Sequence, residues 1–139
     1  MLSSGMPPRV LGSGIGFGTG FTPSSATPPF VIGTGFGATG FTGRLVAEYL
    51  AEHAEDYGVR WAIAGRSSDK LEALRRELSI RDEALAELPV RIADSHDVAG
   101  LDKLVPEARV VCTTVGPYAK YGLDLARACA RHGTSYCDL

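Results

Sequence analysis

Gly37-Ala38-Thr39-Gly40-Phe41-Thr42-Gly43 is the stretch on which the fold turns. Its three evenly spaced glycines stand between a β-prone run, Phe30–Phe36, and a stretch of helical periodicity over about residues 43–53. Glycine lets a chain turn tightly and lets a ligand approach the backbone. A helix opening directly afterwards presents unpaired N–H groups and the positive end of its dipole. In this strand-to-helix setting a GxxGxxG run is expected to cradle a diphosphate. A literal GxGxxG lies one step earlier, at Gly35, Gly37 and Gly40. The apolar positions Val46, Tyr49, Leu50 and His53 favour the later register, with a helix starting near Thr42 and Gly43 permitting close helix–strand packing. A P-loop is excluded, because Arg44 and Leu45 stand where Lys and Ser or Thr would be needed.

Downstream, short β-rich runs alternate with helical stretches, the pattern of βαβ units on a parallel sheet. Strands are expected over residues 59–64, 90–93, 109–114 and 135–138, and helices over 69–78, Val98–Leu104 and 122–132. The runs Trp61-Ala62-Ile63-Ala64 and Val110-Val111-Cys112 are apolar on both faces, as buried parallel strands are. Leu71, Leu74 and Leu78 mark a buried helix face, and Asp69 with Glu72 reads as a capping pair. Gly133 suits a left-handed helix terminus. Residues 79–89 either prolong the second helix or form a short one of their own before Pro89. The fold class is α/β, a Rossmann-type doubly wound parallel sheet over residues 30–139.

Upstream, residues 1–29 are dominated by Gly, Pro, Ser and Thr, and no acidic residue occurs before Glu48. Such a segment is expected to be a flexible leader. Within it, Gly16-Phe17-Gly18-Thr19-Gly20-Phe21-Thr22 nearly repeats the glycine turn, but Pro23 follows and no helix can open there. Arg9 is its sole basic residue before Phe30, so neither a secretory nor a transit signal fits.

The whole chain, 139 residues with a formal net charge of −2, has room for one core and offers no electrostatic case for nucleic acid. No transmembrane segment is expected, and the reading is cytoplasmic. Cys112, Cys129 and Cys137 lack CxxC spacing, which argues for reduced, mostly buried thiols and against a disulfide framework or a metal site.

Selectivity between dinucleotides is read at the end of the second strand. NAD-selective sites place a carboxylate there for the ribose 2′-hydroxyl. Here the sequence is Ala64-Gly65-Arg66-Ser67-Ser68, with no carboxylate before Asp69. The Arg66 guanidinium suits a 2′-phosphate and an adenine face, Ser67 adds a hydroxyl and Lys70 a second charge, so NADP(H) is the expected cofactor. Asp94 either accepts from the adenine amino group or caps the helix that follows. Thr113-Thr114-Val115-Gly116-Pro117-Tyr118 forms a turn able to lie against the ribose and nicotinamide. Tyr118 and Lys120 lack Tyr-x-x-x-Lys spacing, and His53, His96 and His132 lack metal-ligand spacing, so no catalytic residue is assigned.

Taken together, residues 36–44, Ala64-Gly65-Arg66-Ser67, Thr114-Val115-Gly116-Pro117-Tyr118 and Tyr136-Cys137-Asp138-Leu139 resemble the saccharopine dehydrogenase-like oxidoreductases, and among them the trans-acting enoyl reductases. The resemblance implies an NADP-binding domain followed by a larger substrate domain, with hydride transfer to an activated double bond in lipid or polyketide metabolism. By resemblance, Gly37, Thr39, Gly40, Phe41, Thr42 and Gly43 take the pyrophosphate role. Arg66 and Ser67 take the adenosine phosphate role, and Gly116, Pro117 and Tyr118 the nicotinamide side. On this reading the chain is a truncated enoyl reductase, expected to seek its missing substrate domain or to self-associate. The alternative is a non-enzymatic nucleotide-binding module or one half of a split enzyme.

Overall fold

The computed structural model describes residues 30–138. The expected leader and the upstream echo of the glycine turn lie outside the described residues. Five strands alternate with helices: β1 (Phe30–Phe36), α1 (Phe41–His53), β2 (Ile63–Gly65), α2 (Ser68–Arg81), β3 (Val90–Ile92), α3 (Val98–Leu104), β4 (Ala108–Thr113), α4 (Tyr118–Tyr121), α5 (Leu123–His132) and β5 (Ser135–Cys137).

All recorded strand pairs are parallel. β4 lies between β1 and β5, and β2 pairs with β3. β1 and β2 are in contact, so the strands follow one another in space as β3-β2-β1-β4-β5. Between β1 and β2, however, no ladder forms among the described residues, and the continuous sheet expected from the sequence is two parallel ladders side by side. β1 carries Gly33 and Gly35, and its pairing with β4 slips between Phe30 and Val31 and again between Ile32 and Phe36. Interior glycines weaken a strand in this way, because they add backbone freedom and no side chain to pack.

β2 is shorter than expected. Its partner starts at Val90, directly after Pro89, whose missing N–H cannot enter a ladder, although the Pro89 carbonyl still accepts from Ile63 N at 3.0 Å. Ile63 and Ala64, both fully buried, fall into different apolar clusters, because successive strand residues face opposite sides. Ile63 joins Ala47, Leu71, Leu74 and Leu78 from α1 and α2. Ala64 joins Leu101, Leu104, Leu125 and Ala128 from α3 and α5. Helices therefore pack against both faces of β2.

The inner face of α1 departs from expectation. Gly43, Ala47 and Ala54 are buried, with Leu50 and Ala51 packed beside them, whereas Tyr49 is exposed. Small residues set this face because they let the helix backbone approach the sheet. α2 buries Leu71, Leu74 and Leu78 as the periodicity requires. Its cap is Ser67, whose Oγ accepts from Lys70 N at 3.4 Å, and not the Asp69–Glu72 pair; Glu72 instead meets Arg75 at 2.5 Å. Residues 79–89 resolve into the end of α2 and a 3₁₀ turn, Glu83–Glu87, where Asp82 Oδ1 accepts from Ala84 N at 3.0 Å. α5 ends at Gly133 with φ 67°, the left-handed terminus expected.

No helix among the described residues is long and apolar enough to cross a membrane. Cys129 is buried, Cys112 is half-buried and Cys137 is exposed, so burial of the thiols is only partial.

Candidate functional site

Between β1 and β4 the chain order of neighbouring strands reverses. In open parallel sheets, ligands settle outside the carboxyl ends of the strands at that point. Phe36, the last residue of β1, pairs with Thr113, the last of β4, so the glycine turn and the Thr114-Val115-Gly116 segment leave the sheet side by side.

Their contact is tight. Gly37 has φ +101°, and a Cβ there would stand 2.8 Å from Thr114 Oγ1 and 2.9 Å from Val115 Cγ2. Gly40 N donates to Gly37 O at 2.8 Å, closing the turn, and Arg44 N donates to Gly40 O at 2.9 Å, opening α1. A Cβ on Gly43 would fall 1.9 Å from Gly37 O. Gly40 is the N-cap of α1 without a side-chain cap, and the first turn contains no acidic residue. The amides of Phe41, Thr42 and Gly43 therefore precede the first intrahelical bond with no carboxylate to neutralise the helix dipole.

In front of this turn is a cleft of about 380 Å³. Of the residues anticipated from sequence, Gly37, Thr39, Gly40, Arg66, Ser67 and Gly116 line it. Phe41, Thr42 and Gly43 do not form its wall: the first two are exposed and Gly43 is buried against the turn. Pro117, joined to Gly116 by a cis peptide bond, caps α4, and Tyr118 starts that helix; neither lines the cleft. Asp94 also lies off the wall, its Oδ1 accepting from His96 N at 2.9 Å. Nor does Asp94 cap α3, since that place is taken by Asp97, whose Oδ1 accepts from Gly100 N at 3.1 Å.

β2 delivers the cationic side of the cleft. Its buried run ends at Gly65, the next residue is the exposed Arg66, and Lys70 stands in the first turn of α2. Neither cation makes an ion pair with a described residue, whereas Arg44 is paired with Glu77 and Arg75 with Glu72. Two unneutralised cations beside an uncapped helix start suit a polyanion carrying separate phosphate groups.

Two wall residues were not anticipated. Ser95 is only 6% exposed, and its hydroxyl has no recorded partner among the described residues. Tyr121, at the end of α4, packs against His96 with ring centroids 5.4 Å apart, and Lys120 Nζ lies 5.1 Å from its ring centroid. A Cβ on the neighbouring Gly122 would meet Tyr136 Oη at 2.9 Å, so β5 abuts the turn that carries Tyr121. Burial, with a 3.0 Å bond to Asp138, pushes the Tyr136 hydroxyl well above its ordinary value and keeps it protonated. Among the described residues no group of His, Cys, Asp or Glu could hold a metal ion.

Comparison with known proteins identifies the family. The family model described as the saccharopine dehydrogenase NADP-binding domain matches residues 35–139. The chain is 43% identical over 104 residues to a trans-acting enoyl reductase of Mycobacterium ulcerans. Identity is 45% to the trans-acting enoyl reductase of Mycobacterium leprae, and 46% to a putative trans-acting enoyl reductase of Mycobacterium tuberculosis. Each match covers 75% of this chain and 24% of the relative, so the chain spans about a quarter of those proteins.

Proposed function

We propose that this chain, which belongs to the saccharopine dehydrogenase NADP-binding domain family, binds NADP(H) in the cleft between the glycine turn and the end of β2. The observation that carries the reading is the pairing of an uncapped helix start with two unneutralised cations, Arg66 and Lys70, on one cleft wall. The amides opening α1 hold the diphosphate; Arg66, Lys70 and Ser67 hold the 2′-phosphate. Ser95 and Tyr121 border the adenosine, and Gly116, after β4, allows close approach of the nicotinamide half. Asp94, whose carboxylate is engaged by the His96 amide, acts by shaping the loop that presents Ser95.

When bound, the cofactor supplies a hydride from nicotinamide C4. The part played by these residues is to bind and orient it. In a polypeptide that joins this chain to the remainder of a protein like its relatives, the reaction is NADPH-dependent reduction of an activated carbon–carbon double bond. The support for that wider activity is the name of the relatives.

Isothermal titration of the chain with NADPH and with NADH tests the cofactor reading. Binding is expected for both, with at least a tenfold preference for NADPH. Equal affinities would remove the 2′-phosphate role from Arg66 and Lys70, and binding of neither would remove the reading as a whole.

A further inference from the structure

Away from the cleft wall, the ladder between β4 and β5 brings two thiols together. Cys112 and Cys137 are direct register partners in neighbouring parallel strands. Partners of this kind project to the same face, and strands stand about 4.8 Å apart, within the Cα separation that a disulfide spans. The Cys112 thiol is near enough to raise the pKa of the Cys137 thiol. Access differs between them, since Cys137 is exposed and Cys112 half-buried, with β5 at one edge of its ladder.

We propose that Cys112 and Cys137 form a redox-active vicinal dithiol, closed to a disulfide by a two-electron oxidant of the disulfide class, such as glutathione disulfide. The Cys137 thiolate attacks one sulfur of the oxidant, forming a mixed disulfide and expelling one glutathione thiolate. The Cys112 thiolate then attacks Cys137 Sγ and releases the second. Two protein thiols are oxidised, one disulfide is reduced to two thiols, and the two protein protons end on the glutathiones. Burial and the neighbouring Cys112 push the Cys137 thiol up to about 11, so little thiolate is present at neutral pH and the pair closes slowly there. Cys129, buried in the apolar cluster with its thiol also pushed up to about 11 by burial, takes no part. β4 runs directly into the segment that lines the cleft, so the closed pair would stiffen one support of that wall.

The test is incubation of the chain with glutathione disulfide at mildly alkaline pH, followed by intact-mass and peptide mapping. The expected product has lost two hydrogens, carries a peptide cross-link between Cys112 and Cys137, and returns to the starting mass with dithiothreitol. Cys129→Ser is expected to cross-link equally well, and Cys112→Ser to stop at a glutathione adduct on Cys137. Persistence of both thiols, a stable adduct in the unsubstituted chain, or a cross-link through Cys129 would each overturn the proposal. Far-ultraviolet circular dichroism of the reduced variants confirms that they are folded before oxidation.

Discussion

The backbone of Gly37 occupies the place where Gly43 would need to keep a β-carbon: that atom would lie 1.9 Å from the Gly37 carbonyl oxygen and 2.6 Å from its carbonyl carbon. Backbone cannot swing aside as a flexible side chain can. Gly43→Ala is therefore expected to push α1 off the turn, at a cost of about 1–3 kcal/mol or more, as overpacking does. Gly116→Ala, with open space around the added atom, is expected to leave stability unchanged. Urea midpoints compare the two, and an unshifted midpoint for Gly43→Ala would show that the close approach is not needed.

Arg66→Ala is expected to weaken NADPH by about 1.5–3 kcal/mol, on the order of 10- to 100-fold in Kd, as loss of charge-assisted hydrogen bonds does. NADH affinity should change little, since it lacks the 2′-phosphate. Isothermal titration with both cofactors reads the difference, and a parallel loss for the two would place Arg66 elsewhere on the cofactor.

Tyr121→Ala is expected to lower affinity for adenosine 2′,5′-bisphosphate by about 0.5–1.5 kcal/mol, the worth of one aromatic contact, while Tyr121→Phe retains it. Ser95→Ala removes the buried hydroxyl on the same wall. Nicotinamide mononucleotide, which has no adenine, should bind all three variants like the unsubstituted chain. A uniform loss for both ligands would indicate collapse of the cleft.

Asp102 joins α3 to α5, its Oδ1 accepting from Arg131 at 2.6 Å and lying 3.0 Å from His132 Nε2. The Arg131 hydrogen bond, opposed in part by burial and aided by His132, holds its carboxyl below the ordinary 3.8. A carboxylate with a lowered folded value contributes stability above its unfolded value and loses it as pH falls through the folded one. Asp102→Asn should thus lower the melting temperature at neutral pH and leave it unchanged in strong acid, with the two curves merging below about pH 4. Melting curves that stay parallel down to strong acid would contradict the linkage.

Thr134 is buried and its hydroxyl is shared between the carbonyls of Val105, at 3.1 Å, and Ala108, at 3.2 Å. Thr134→Val keeps the shape and removes the donor. The expected loss is about 1–3 kcal/mol, measured by thermal unfolding. Equal stability of the two proteins would mean that other donors satisfy those carbonyls.

The parts of this molecule that depend on near neighbours were legible in the sequence. The glycine turn, the Leu71, Leu74 and Leu78 stripe and the Gly133 terminus are set by residues within one or two helical turns, and all three formed as expected. Competing local caps were harder to separate. Ser67 prevailed over the Asp69–Glu72 pair, and Asp97 over Asp94, because each choice depends on where the preceding strand ends. The outward position of Tyr49 follows from the small residues opposite it, which only the approach of α1 to β1 makes decisive. Ser95 and Tyr121 carry no local signature. They reach the cleft because β3 pairs with β2 and because β5 buttresses the α4–α5 junction, relationships spanning tens of residues.

The β2–β3 ladder ends with Gly65 opposite Ile92, and Ala93 N still donates to Gly65 O at 2.9 Å before the chains part toward Arg66 and Ser95. Those two side chains are thus carried on a common ruler, graduated in single residues. One amino acid inserted into β3 would slide Ser95 out of step with the guanidinium and turn alternate residues inside out. The same insertion in the 3₁₀ turn at Glu83–Glu87, which contains no buried residue, would be absorbed in solvent. Among descendants of this sequence, length is therefore expected to drift in that turn while the spacing from Val90 to Ser95 stays fixed.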